Sequence, residues 1–64
     1  MRLKRLRQAK GWTQRRLADK AEISLVYLAQ IEGSAKNPPV RTPSLRTLER
    51  LAKSLGLPVG ELLG

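Results

Sequence analysis

Apolar residues recur along this chain every three or four positions, without strict alternation, so the pattern is helical almost throughout. Leu3, Leu6 and Lys10 share one face of a first helix, with Arg7 beside them, and Gly11 ends it. Thr13 is placed to cap a second helix. In it Gln14, Leu17, Ala18 and Ala21 line one side, while Arg15, Arg16, Asp19 and Lys20 point the other way. Ser24 caps a third helix with Leu28, Ile31 and Glu32 on its inner side. Val26, Ala29 and Gln30 fall opposite, and Leu25 and Tyr27 lie on the flanks. Residues Gly33 to Ser44 include Pro38, Pro39 and Pro43 and read as a loop. Thr42 or Ser44 then caps a fourth helix, whose Leu45, Leu48, Leu51, Ala52 and Leu55 occupy one arc. Gly56 stops it, and Pro58 suits the first turn of a short fifth helix ending at Leu62–Leu63. The prediction is an all-α fold of five helices in a single domain over residues 1–64.

Size makes such a domain marginal. A chain of about 60 residues buries only about 60% of the surface its unfolded form exposes. The absence of cysteine rules out a disulfide staple, so tight helix packing or oligomerisation must help. Charge is unevenly spread. Residues 1–20 hold eight Lys/Arg against one Asp, and residues 21–64 hold five against four Glu, for a net charge of +8. A positive field on the first two helices suits a polyanion. No apolar run approaches membrane-spanning length and nothing resembles a signal peptide, which points to the cytoplasm.

Catalytic and metal chemistry find no support. Without His or Cys the common transition-metal sets cannot form, and five dispersed carboxylates make neither an acid/base pair nor a calcium loop. No cofactor is implied, and no glycine-rich phosphate loop follows a strand.

The order Thr13-Gln14-x-x-Leu17-Ala18, Ile23-Ser24, Tyr27-Leu28, Ile31-Glu32, Pro43-Ser44-Leu45 and Thr47-Leu48, with the ending Leu51 to Leu57, covers nearly the whole chain. It resembles the helix-turn-helix domain of the lambda repressor/Cro-like (XRE) family. The resemblance implies a five-helix fold in which helices two and three read double-stranded DNA, the second of them, about Ser24–Gly33, entering the major groove. It also implies a salt bridge between Arg7 and Glu32, a phosphate contact from Gln14, and a backbone grip from the loop cations Lys36 and Arg41. Two features depart from the family. Glu22 stands where the turn usually holds glycine, and left-handed geometry there costs a non-glycine residue on the order of 1–2 kcal/mol. The Gly33–Ser44 loop is about five residues longer than the family pattern, which places the extra length between helices three and four.

Within that frame the groove candidates are Ser24, Leu25, Val26 and Gln30, because the N-terminal part of the reading helix meets base edges. Gln30 can pair with adenine in bidentate fashion, and Val26 or Leu25 can touch a thymine methyl. The hydroxyl of Tyr27 is placed to reach a phosphate while its ring packs. Arg15 and Arg16 add long-range attraction. Trp12 reads as a core or half-buried anchor. A single reading helix covers few base pairs, so a homodimer is expected, with Val59, Leu62 and Leu63 as candidate contacts and some of them covering the core. The reading is a bacterial or phage transcriptional regulator that binds specific duplex sequences. The alternative is a protein-interaction module such as an antitoxin, favoured by the apolar Leu25–Val26 pair.

Overall fold

A computed structural model describes residues 2–33 and 43–63. In these segments the chain forms α1 (Leu3–Ala9), α2 (Gln14–Ala21), α3 (Leu25–Glu32), α4 (Leu45–Leu55) and α5 (Val59–Leu63), with no strand among the described residues. Local chemistry sets the boundaries. Thr13, Ser24 and Ser44 each hold an extended backbone, and each side-chain oxygen accepts from the N–H three residues on, at Arg16, Tyr27 and Thr47. Each hydroxyl thereby satisfies one donor that the first helical turn leaves open. The cap of α4 is thus Ser44; Thr42 lies outside the described residues.

Three helix ends repeat one device. A left-handed residue closes each of them: Glu22 and Gly56 directly follow α2 and α4, and Gly11 stands one residue beyond Lys10, the C-cap of α1; Gly33 takes the same conformation directly after α3. The next N–H reaches back five residues: Trp12 to the Arg7 carbonyl at 3.3 Å, Ile23 to Ala18 at 3.0 Å, Leu57 to Ala52 at 2.9 Å. This double-turn closure satisfies the last carbonyls and turns an apolar side chain inward. Trp12, Ile23 and Leu57 all pack, half-buried, against the core. Glu22 is the departure: at φ 57° it is the one non-glycine described residue with positive φ, so the turn takes the left-handed geometry with a strained residue in it.

The core lies between α2, α3 and α4, closed by α1 and α5. Leu3, Leu17, Leu28, Leu51, Leu55 and Leu62 are its fully buried large side chains. Each contributes on the order of 1.5–3 kcal/mol on burial. Ala18, Ala21 and Ala52 are buried among them, where their small side chains let α2 and α4 approach closely. Two expectations need correction. Leu45 is 65% exposed, because it sits at the margin of the α4 arc in the opening turn, while Thr47 is buried and bonded to the Ser44 hydroxyl. Lys10 is exposed, because α1 ends at Ala9 and Lys10 leaves the apolar face as its C-cap. The two ends of the fold are joined: the Arg2 N–H donates to the Leu62 carbonyl at 2.9 Å, and Arg2 Nη1 lies 3.8 Å from Glu61 Oε2. Among the described residues no helix is long and apolar enough to cross a membrane.

Candidate nucleic-acid interface

Helix α3 is fixed from its C-terminal end. Glu32, the last residue of α3, has a fully buried side chain that α1 and α2 both meet. Arg7 Nε donates to Glu32 Oε2 at 2.8 Å and Arg7 Nη2 to Oε1 at 3.0 Å, a planar two-point match of guanidinium and carboxylate. The third nitrogen, Nη1, donates to the Trp12 carbonyl at 2.7 Å. Gln14 Nε2 adds a bond to Glu32 Oε1 at 3.1 Å. Among the described residues no buried side-chain nitrogen or oxygen lacks a partner. A buried charge pair is tolerable on such terms. One carboxylate ties the end of α3 to α1 and to the first residue of α2.

Locked behind, α3 is open in front. Ser24 is exposed beside Leu25, 41% exposed, and Val26, 60% exposed. Leu28 and Ile31 are buried, as the inner stripe requires. Tyr27 is half-buried with its ring on the core, and Arg15 is exposed on α2. Gln30 and Ala29, expected on the outer side, are half-buried, since α3 is embedded more deeply toward its C-terminal end. Gln14, expected to meet a phosphate, is half-buried and donates one amide hydrogen to Glu32. Lys36 and Arg41 lie outside the described residues. Of the dimer candidates, Leu62 fills the core and is removed from any outer surface, Val59 packs half-buried against the core, and Leu63 is 59% exposed.

One grouping escaped the sequence. Lys10 Nζ, the Arg16 guanidinium carbon and Lys20 Nζ stand 5.3, 5.8 and 5.1 Å from the centroid of the Trp12 ring. The i, i+4 spacing of Arg16 and Lys20 was a partial signal; Lys10 joins them only because the Gly11 turn folds α1 back beside α2. Among the described residues no group of three or more His, Cys, Asp or Glu is gathered that could hold a metal ion.

Comparison with known proteins agrees with this geometry. The chain is 43% identical over 63 residues to the "Immunity repressor protein" of Bacillus phage phi105, covering 98% of this chain and 40% of that protein. It is 40% identical over 62 residues to the "HTH-type transcriptional regulator DdrOP3" of Deinococcus deserti, covering 97% of this chain and 44% of the relative. The chain therefore spans less than half the length of these curated relatives. No solved structure matches it. The family model described as "Helix-turn-helix domain" matches residues 1–63, and with α2, the Glu22 turn and α3 arranged as above, the chain belongs to that helix-turn-helix family.

Proposed function

We propose that this chain is the sequence-reading domain of a transcriptional regulator, binding double-stranded DNA with α3 in the major groove. The observation that carries the reading is the exposed N-terminal end of α3, Ser24, Leu25 and Val26, presented on a helix whose other end is clamped through Glu32. A helix so held can insert its first turns into a groove without losing register. The net charge of +8 supplies attraction to the phosphates, and the two relatives named above are a repressor and a transcriptional regulator. In this reading Val26 and Leu25 meet thymine methyl groups, Gln30 and Ser24 meet polar base edges, and Gln14, Tyr27, Arg15, Lys36 and Arg41 meet the backbone. Two copies acting as a homodimer in the cytoplasm would place two α3 helices on successive major grooves of one duplex face, about 34–36 Å apart.

One observation favours a second reading. The described recognition helix carries no Lys or Arg, and its most exposed side chains are apolar. That surface also suits a protein partner, as in an antitoxin. Selection of bound sequences from a random duplex library separates the two. An enriched palindrome supports the DNA-reading dimer. Failure to enrich any sequence, with a defined protein bound in stoichiometric amount, supports the second.

A further inference from the structure

The cations around Trp12 form a surface that the reading helix does not use. Each is drawn to the ring by its π electrons, so three like charges are held close together and repel one another. Lys20 carries the surface further. It also lines an open groove between α2 and α4 with Arg50 and Lys53, where Glu22 is the sole carboxylate. Among the described residues the ion pairs are Arg2–Glu61 and Arg7–Glu32, so none of Lys10, Arg16, Lys20, Arg50 and Lys53 has a carboxylate within pairing distance. Gln14 reaches Glu32 and so marks the side of α2 that faces α3. At 3.6 residues per turn, Arg16 and Lys20 lie about 200° and 240° round α2 from Gln14, on the side turned from α3.

We propose that this surface is a second phosphate-backbone site, holding a duplex segment other than the one read by α3, so that one protomer bridges two stretches of DNA. The inference rests on the DNA-binding function proposed above. The occupant is a nucleic-acid backbone because the surface offers charge without apolar anchors. The large exposed hydrophobic residues, Leu25, Val26, Leu45 and Leu63, are absent from the groove lining, and Trp12 is half-buried beneath its cations. A protein partner draws its affinity from buried aromatic or aliphatic anchors, whereas a phosphate backbone needs only closely spaced positive charge.

The test titrates the whole chain with a donor-labelled duplex and then with an acceptor-labelled duplex of unrelated sequence, at low salt. The wild type is expected to take both and transfer energy between them, with Trp12 emission changing in the second step. The variant Lys20→Ala/Arg50→Ala/Lys53→Ala, altered only at exposed positions, is expected to keep the first step, weakened only by the fall in net charge and by several-fold less than the second. Its second step should weaken at least tenfold, with a salt slope shallower by roughly three units, about 0.9 for each phosphate that is no longer neutralised. Circular dichroism of the variant confirms that it is folded. Energy transfer that persists undiminished in the folded variant overturns the proposal, since bridging then runs through paired α3 helices. So does a wild type that takes one duplex and never a second, or an equal loss at both steps. A wild type that binds neither duplex instead removes the DNA-binding function itself.

Discussion

Gln14 donates its side-chain amide to Glu32 Oε1, the same oxygen that accepts from Arg7 Nη2. The residue expected to meet the DNA backbone is thus also part of the clamp on the end of α3. A phosphate at the start of α2 would meet an amide already oriented by a buried carboxylate.

The clamp should show in stability without DNA. Arg7→Ala or Glu32→Ala leaves a buried charge unmatched and should cost roughly 3–5 kcal/mol in urea unfolding. Gln14→Ala should cost less, near the lower end of the roughly 1.5–3 kcal/mol assigned to a hydrogen bond to a charged group, because Gln14 is half-buried. A double-mutant cycle between Arg7 and Glu32 should return strong coupling; additive losses would mean the two side chains do not act as one unit.

Glu22→Gly should stabilise the protein. Removing the side chain relieves about 1–2 kcal/mol of left-handed strain. It also adds unfolded-chain freedom worth about 0.4–1 kcal/mol, for a net gain of about 0.5–1 kcal/mol. The urea midpoint should rise at unchanged slope. A lower midpoint would show that the carboxylate holds the turn by some other means.

Neighbouring leucines in α5 should part company. Leu62→Ala empties a fully buried site and should cost about 2–5 kcal/mol. Leu63→Lys changes a side chain that is 59% exposed, so monomer stability should stay within about 0.5 kcal/mol. If Leu63 serves the dimer, sedimentation and cooperative binding to a two-half-site duplex should weaken in Leu63→Lys while a single half-site is still bound. An unaltered dimer would move the contact elsewhere.

Base reading and backbone grip make different marks. Val26→Ala and Gln30→Ala should each cost about 1–3 kcal/mol on a selected site and relax preference at one or two positions. Lys36→Ala and Arg41→Ala should weaken selected and random duplexes alike and reduce the salt slope by about one unit each. Equal losses on both duplexes for the α3 variants would deny them a reading role.

Helix count, caps and the inner stripes were legible because each depends on neighbours in sequence. Thr13, Ser24 and Ser44 cap by reaching three residues on, and Leu17, Leu28, Leu51 and Leu55 are buried at helical spacing. What the sequence hid depends on depth and on distant partners. Periodicity placed Gln30 on the outer side of α3, but cannot say how far a helix sinks into its neighbours. The amide of Gln14 and the cations at Trp12 find their partners across helices, so spacing within one helix could not reveal them. The Arg7–Glu32 pair came from resemblance, since nothing local joins residues 25 apart.

The bond between Arg2 and Leu62 sets how the fold meets a mechanical load. Tension applied through its two ends falls first on that single hydrogen bond and the neighbouring Arg2–Glu61 pair. With the attachment points side by side, α1 and α5 are drawn apart piece by piece, as a zipper opens, and the buried leucines do not resist together. The domain should therefore yield at low force when pulled end to end, and hold better when gripped at α2 and α4, whose packed faces must slide past each other to separate.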